Sequence, residues 1–388
     1  MNVAERFLKY VTFATASDED SETFPSTDGQ LVLADYLVKE LISIGVDDAA
    51  RDENGYVYGH IPASDGCDGL PAVGLIAHMD TSPDAPGENV KPRTVRFDGK
   101  NLPMIGEKYI GEDMIVSDGT TLLGADDKAG VAEIIAACDR IINEGIKHGP
   151  ISICFTPDEE IGQGADRFDF KRFAADYAYT VDGGELGGIE YENFNAAAVR
   201  LNVNGLNTHP GSAKDKMRNA VLYLNEFISM LPPAETPAHT DGREGFYHVS
   251  YIKGTESSAE LHMIIRDHDK EKFLKRKQFT VDTVHFLNKK YGDGTFLLDI
   301  RDSYYNMREI IEKRMDIVTR AENAMRANGI EPVITAIRGG TDGARLSFEG
   351  LPCPNISTGG MNYHSIYEAV PLSALYKMTD IIVEIVKA

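Results

Sequence analysis

Two adjacent glutamates stand where an apolar run of the sequence ends. The run ISICF (151–155) is typical of a buried strand, and the residues TPDEEIG that continue from it contain Glu159 and Glu160. Neighbouring carboxylates repel each other and burial raises that cost, so the pair either points into water or faces something cationic. Because adjacent residues leave the backbone in different directions, one glutamate could ligate a metal ion while the other handles protons.

Four further polar clusters lie at the ends of predicted strands or in loops. AHMDT contains His78 and Asp80, LLGADDKAG contains Asp126, and YTVDGGE and TGGMNYHS contain Asp182 and His364. Each cluster alone is typical of a helix cap, a turn or a satisfied surface residue. Since sites in open α/β sheets lie beyond the carboxyl ends of strands, their repetition indicates one shared site. Imidazole and carboxylate without thiolate suit Zn²⁺, Mn²⁺ or Co²⁺.

The elements that must position these clusters are predicted by the hydrophobic patterns. Apolar runs indicate strands, and helical spacing indicates helices between them, which favours an α/β fold with a mostly parallel sheet. From about residue 196 the order becomes strand, helix, strand, strand, helix, strand, which is typical of a ferredoxin-like α+β unit. We therefore expect a catalytic α/β domain in two parts, interrupted by a smaller inserted domain: 1–195 and 313–388, with 196–312 between them.

Composition and charge limit the classes of function. The chain has 388 residues and a formal net charge of -22, which disfavours binding to nucleic acid or to anionic membranes. Its four cysteines lack a CxxC spacing, so reduced thiols are expected rather than a disulfide framework or a thiolate zinc site. The N-terminus does not match a signal peptide, and no window approaches the ~18 apolar residues of a membrane span, so we expect a cytoplasmic protein.

In combination, the motifs resemble the peptidase T family of tripeptide aminopeptidases, within the broader group of two-zinc aminoacylases, carboxypeptidase G and related dipeptidases. The matching stretches run in order from about residue 78 to 367, and they include AHMDTSPD, TLLGADDKAG, FTPDEEIG, ENFNAA, NTHPGSAK, IIRDHD, RGGTDGA and TGGMNYHS. The resemblance implies a catalytic domain with an inserted lid, small peptide substrates and a role in peptide catabolism.

The resemblance also implies a pair of metal sites. His78 and Asp182 would hold one zinc ion, Glu160 and His364 would hold the other, and Asp126 would bridge the two together with a water or hydroxide. Co²⁺ or Mn²⁺ would be alternative ions for the same donors.

Other residues acquire roles from the same resemblance. Asp80 would fix the ring and tautomer of His78, and Glu159 would act as the general base that activates the water and passes its proton to the leaving amine. The bond between Asp126 and Asp127 is expected to be cis. One departure is the segment between Asp80 and Asp126, which is shorter than the family pattern and leaves the shape of the substrate subsites open.

The inserted domain would supply the contacts to substrate. His209 in NTHPG resembles the lid histidine that polarises the scissile carbonyl. Arg266 in IIRDHD and Arg338 in IRGGTDG resemble anchors for the carboxylate of the peptide, a target that suits a guanidinium fork. Arginines at that position would act as a ruler for peptide length.

The sequence thus predicts a two-zinc aminopeptidase that removes the N-terminal residue from tripeptides. A dipeptidase or aminoacylase of the same family is the nearest alternative. A metal- or peptide-binding protein without turnover is an alternative of another class, although it would have no need of a base such as Glu159. A two-metal phosphoesterase would also use such ligands, but the strongly acidic chain disfavours it. The sequence leaves open whether the protein is a homodimer.

Overall fold

The chain forms ten α-helices and fifteen β-strands, and the computed structural model describes residues 1–388. The helices are α1 (Val3–Tyr10), α2 (Asp28–Ser43), α3 (Ala125–Glu144), α4 (Phe170–Phe173), α5 (Ala220–Met230), α6 (Lys270–Tyr291), α7 (Arg308–Ile311), α8 (Met315–Ala327), α9 (Asp342–Phe348) and α10 (Leu372–Val386). The strands are β1 (Ala50–Arg51), β2 (Val57–Ile61), β3 (Val73–His78), β4 (Arg93–Arg96), β5 (Asp113–Val116), β6 (Ile151–Thr156), β7 (Tyr177–Gly183), β8 (Gly188–Asn193), β9 (Asn195–Asn204), β10 (Phe246–Gly254), β11 (Ser258–Asp267), β12 (Phe296–Tyr304), β13 (Val333–Ile337), β14 (Asn355–Ser357) and β15 (Ala369–Pro371). None of the helices combines the length and the apolar content that crossing a bilayer would require.

The chain divides into two compact units. The first comprises Met1–Tyr191, Met307–Thr335 and Thr341–Ala388, and the second comprises Glu192–Asn306 and Ala336–Gly340. The inserted unit thus recruits a short segment from far along the sequence.

An eight-stranded sheet forms the centre of the first unit, in the order β1-β2-β6-β3-β7-β14-β8-β13. β3 pairs in parallel with β6 and β7, and β14 pairs in parallel with β7. Every residue of β3 and β6 is buried, which explains why these strands read as continuous apolar runs. Because β3, β6 and β7 run in parallel, the residues that follow them meet at one edge of the sheet.

Helix α3 connects this sheet to the rest of the first unit. It packs against β3 and β7, and both α1 and α10 pack against it. A separate three-stranded antiparallel sheet has the order β15-β5-β4. Two of its strands come from the segment between Asp80 and Asp126 that departs from the family pattern.

The second unit contains a four-stranded antiparallel sheet in the order β10-β11-β9-β12. Alternate residues of β9 and β11 are buried, and helices α5 and α6 pack against the sheet. Leu201, Leu261 and Phe273 are fully buried in the core between them. The chain order and the strand order are those of a ferredoxin-like unit.

The predicted fold class is confirmed: a large, mostly parallel sheet accompanies an inserted α+β unit. The second unit spans Glu192–Asn306, whereas the sequence pattern placed it at 196–312. The segment Ala336–Gly340 carries Arg338, which the predicted boundaries assigned to the catalytic domain. The assignment of this segment to the second unit depends on contacts between parts of the chain that are distant in the sequence. A local sequence pattern does not predict such contacts.

Glu133 in α3 is a buried carboxyl group that the chemistry of the predicted site does not use. Its exposure is 0%, and neither side-chain oxygen has a hydrogen-bond partner. Burial raises the pKa of Glu133 well above its usual value, so the folded protein keeps this proton at pH values where an exposed glutamate has already lost it.

We expect Glu133→Gln to flatten the pH dependence of stability. Above the unfolded-state pKa of about 4.3, the unfolded chain releases a proton that the folded chain keeps, so stability falls by up to about 1.4 kcal/mol per pH unit. Glutamine has no such proton, so the stability of the variant relative to wild type, measured in urea titrations, should increase as the pH rises above about 4.3. Glu144→Gln, at an exposed position of the same helix, is the control. Parallel pH profiles for Glu133→Gln and wild type would contradict this reading.

Candidate metal centre

His78, Asp126 and Asp182 form a first group of closely spaced donor atoms. His78 ends β3, Asp182 lies near the end of β7, and Asp126 lies at the start of α3. The Nε2 atom of His78 is 2.9 Å from Oδ1 of Asp126 and 3.4 Å from Oδ1 of Asp182. All three donor atoms lie within 4.8 Å of one another.

Asp126 also belongs to a second group, with Glu160 and His364. The Nε2 atom of His364 is 3.0 Å from Oε2 of Glu160 and 3.4 Å from Oδ2 of Asp126. Asp126 therefore turns one carboxylate oxygen to each group. The peptide bond between Asp126 and Asp127 is cis, as the resemblance implied.

The chemistry of these donors fits two divalent cations. Each group offers one imidazole nitrogen and two carboxylate oxygens, a set that suits Zn²⁺, Mn²⁺ or Co²⁺. Three protein donors would leave a position free on each bound ion, as catalytic sites require. Oε1 of Glu160 is buried and has no hydrogen-bond partner in the protein. A bound cation would satisfy this oxygen. The structure thus brings together all five residues that the sequence assigned to metal binding.

Asp80 contacts a residue of each of the two donor groups, His78 and Glu160. It is fully buried, and its Oδ1 lies 3.2 Å from Nδ1 of His78, which leaves the Nε2 side of the ring for the donor group. Its two carboxylate oxygens also accept hydrogen bonds from the backbone N–H groups of Glu159 and Glu160, at 3.0 and 3.1 Å. One side chain therefore orients a histidine of the first group and the loop that carries both glutamates.

In the protein without bound ions, the surroundings raise the pKa of several residues at this centre. Hydrogen bonds with Asp126 and Glu160 raise the pKa of His364 to about 11. Burial raises the pKa of Asp182 to about 8, even though His78 opposes that shift. Burial and the charge of Asp182 also raise the pKa of Glu159 well above its usual value.

Asp126 behaves differently from its neighbours. Burial alone would raise its pKa, but hydrogen bonds from His364 and His78 outweigh that effect and hold the pKa below its usual range. The shared carboxylate is therefore ionised and able to face two cations.

Three residues predicted to bind substrate, His209, Arg266 and Arg338, lie in the second unit. His209 is exposed, and its Nδ1 accepts a hydrogen bond from a nearby backbone N–H group. Arg338 donates to backbone oxygens of the loop 240–242. Arg266 donates from Nη1 to the carbonyl oxygen of Arg338, and its buried Nε has no hydrogen-bond partner. Arg266 thus has a donor left for a ligand, whereas the Nη donors of Arg338 already bond the loop. The roles of all three residues stay predictions.

Sequence reasoning missed two carboxylates at this centre. Glu368 is buried and accepts backbone hydrogen bonds from Leu123, Gly124 and Asp126 at 2.7–2.9 Å. Asp84 is exposed, and its Oδ2 lies 3.1 Å from Nδ1 of His364, the ring nitrogen opposite the donor group. No local pattern marks either residue, because each contacts a residue more than 240 positions away in the sequence.

Comparison with known proteins identifies a family. The model of Peptidase family M20/M25/M40 matches residues 74–388. A protein named Peptidase T from Caldanaerobacter subterraneus subsp. tengcongensis is 53% identical over 401 residues, which covers 99% of this chain and 98% of that protein. Another Peptidase T, from Halothermothrix orenii, is 51% identical over 402 residues, with coverage of 99% and 98%.

Solved structures share the fold. An aminopeptidase PepT from Bacillus cereus has a TM-score of 0.79 at 24% identity, covering 99% of this chain and 97% of that one. A tripeptidase from Staphylococcus aureus has a TM-score of 0.82 at 22% identity, with coverage of 100% and 97%. A dinuclear metal-binding peptidase from Bacillus subtilis has a TM-score of 0.68 at 14% identity, with coverage of 99% and 96%.

The raised pKa values predict that metal binding releases protons. Near pH 7 the metal-free protein holds protons on His364 and Asp182, and both residues must lose them to act as ligands. The apparent affinity for Zn²⁺ or Co²⁺ should therefore rise with pH, about tenfold per pH unit for each proton released. Calorimetric titration of the metal-free protein at pH 6, 7 and 8, in buffers of different ionisation enthalpy, measures both quantities. Affinity independent of pH, with no proton release, would contradict the arrangement.

Proposed function

The chain belongs to peptidase family M20/M25/M40, and we propose that it is a tripeptide aminopeptidase that works with two divalent cations. The resemblance stated from the sequence is confirmed by relatives at about half identity that cover nearly the whole chain. Those relatives carry the name Peptidase T, which supports the enzyme class, and the Staphylococcus aureus structure is named a tripeptidase, which agrees with the proposed substrate length.

One observation carries the proposed mechanism. The carboxylate of Asp126 faces two groups, one with His78 and one with His364, and each group also contains a second carboxylate. A single carboxylate with a donor group on each side is what two ions close together would require. Glu159 adjoins a member of the second group, Glu160, and takes no part in either group itself.

The side chains divide the work of hydrolysis. Ions held by the two groups would polarise the scissile carbonyl and make a water easier to deprotonate. Glu159 takes the proton of the attacking water and returns it to the leaving amine. Asp80 holds His78 and the backbone of Glu159 in place. His209 would polarise the carbonyl oxygen from the second unit.

We assign zinc as the ion because nitrogen and oxygen donors suit it, and Co²⁺ or Mn²⁺ would fit the same set. Small peptides are the substrates. A cytoplasmic location agrees with four free, buried cysteines. A homodimer is required only if His209 acts on the site of a partner subunit.

Substrate profiling separates the alternatives. A dipeptidase or an aminoacylase of the same family would prefer shorter or acylated substrates, and a binding protein would turn over none. Tri-, di- and tetrapeptides assayed with added Zn²⁺ should show a preference for tripeptides. Equal rates on all three lengths would defeat the idea of a length ruler.

We expect Glu159→Gln to keep both ions and to lose hydrolysis. The amide cannot accept the proton of the water, so kcat should fall by about 10²- to 10⁴-fold. Metal content by atomic emission and peptide cleavage by chromatography check the two halves of this prediction. Glu185→Gln is a control, because Glu185 is exposed and pairs with Lys108. An unchanged rate for Glu159→Gln would refute the assigned role.

Arg266→Met should remove the preference for a free C-terminal carboxylate. A charge-assisted hydrogen bond to that group is worth about 1.5–3 kcal/mol, so kcat/KM for a tripeptide acid should fall by about 10- to 100-fold. The same tripeptide as a C-terminal amide should be cleaved equally by the variant and wild type. Arg200→Met changes an exposed arginine in the same sheet and serves as the control. A parallel loss on acid and amide would rule out this contact.

A further inference from the structure

We propose that Asp158, held by Ser26 and Gln30, is a positioning residue that sets the direction of Glu159. This inference rests on the proposed role of Glu159 as the base. Ser26 and Gln30 lie outside the FTPDEEIG motif, in the N-terminal segment of the chain. They also precede residues 74–388, which the family model matches.

The backbone of Asp158 has an uncommon conformation. Its φ is +55°, in the left-handed region that residues other than glycine seldom adopt, and the residue is fully buried. Such a conformation persists only where surrounding contacts hold it. Because Glu159 follows directly, the dihedral angles of Asp158 decide where the glutamate side chain leaves the chain.

Asp158 both accepts and donates hydrogen bonds in the contacts that hold it. Its carboxylate accepts hydrogen bonds from the backbone N–H and the hydroxyl of Ser26, at 2.7 and 2.5 Å, and from Nε2 of Gln30 at 2.6 Å. Its own backbone N–H donates to Oε1 of Gln30 at 3.0 Å. Gln30 therefore binds both the side chain and the main chain of one residue, which fixes its orientation.

The N-terminus of helix α2 (Asp28–Ser43) reinforces this arrangement. Ser26 lies just before the helix, and Gln30 lies in its first turn, so the carboxylate of Asp158 lies at the positive end of the helix dipole. Ser26 and Gln30 are themselves buried, so water does not compete for these hydrogen bonds.

The loop is held from its other side by Asp80, which accepts the backbone N–H groups of Glu159 and Glu160. Asp80 fixes two amides, and the carbonyl oxygen of Asp158 accepts a hydrogen bond from the backbone N–H of Gln163. The contacts with Ser26 and Gln30 hold the remaining polar groups of Asp158, its carboxylate and its own N–H. Loss of Gln30 should therefore misplace the base more than it disturbs the metal donors, which Asp80 and the sheet also hold.

The test compares Gln30→Met with Glu40→Gln in the full-length, metal-loaded enzyme. Methionine keeps the length of glutamine but has no amide, whereas Glu40 is a buried residue of the same helix that pairs with Arg6, away from Asp158. For Gln30→Met we expect kcat on a tripeptide to fall by about 10- to 100-fold. The KM value should stay within about threefold, because the contacts to substrate and metal are unchanged. Both variants should bind as many ions as wild type.

Hydrogen exchange provides a second readout that does not depend on activity. The amide of Asp158 loses its acceptor in Gln30→Met, so this amide, followed in a peptide that begins at residue 154 and ends at residue 163, should exchange at least about tenfold faster than in Glu40→Gln. A kcat no lower than that of Glu40→Gln, or unchanged exchange in this peptide, would overturn the proposal. If wild type lacks tripeptidase activity, the proposed function fails, and exchange alone decides whether Gln30 holds the loop.

Discussion

A concentration of carboxylates in one buried place governs the arrangement of the candidate metal centre. Six of them lie at the ends of three parallel strands and at the start of α3: Asp80, Asp126, Asp127, Glu159, Glu160 and Asp182. Burial and mutual repulsion raise the pKa of Asp127, Glu159 and Asp182. These shifts favour the protonated forms of the three groups in the protein without bound cations. Two divalent cations would take the place of the proton on Asp182, and their charge would favour the ionised forms of the neighbouring carboxylates.

The fold separates the carboxylates that face the donor groups from those that support them. The supporting ones use both oxygens to accept backbone N–H groups: Asp80 from Glu159 and Glu160, Asp127 from His78 and Gly130, and Glu368 from Leu123, Gly124 and Asp126. Each of these carboxylates therefore ties one loop of the site to another. Backbone donors satisfy a buried charge without adding a mobile side chain.

Sequence reasoning predicted the parts of the site that follow strand periodicity. His78, Asp182 and Glu160 could be placed because each follows an apolar run, and parallel strands end at one edge. Asp84 and Glu368 were missed because each acts through a contact across 240 residues or more, to His364 and to Asp126 respectively. The sheet formed by β4, β5 and β15 was missed as well, since its strands are only three or four residues long. The segment Ala336–Gly340 joins the second unit by contacts that leave no local pattern.

We propose that Asp126 serves two cations at once. An anomalous difference map, recorded at the zinc edge from a crystal grown with Zn²⁺, tests this proposal. Two peaks are expected, one on each side of the Asp126 carboxylate, with His78 and Asp182 beside one and Glu160 and His364 beside the other. A single peak, or two peaks that do not share Asp126, would contradict it.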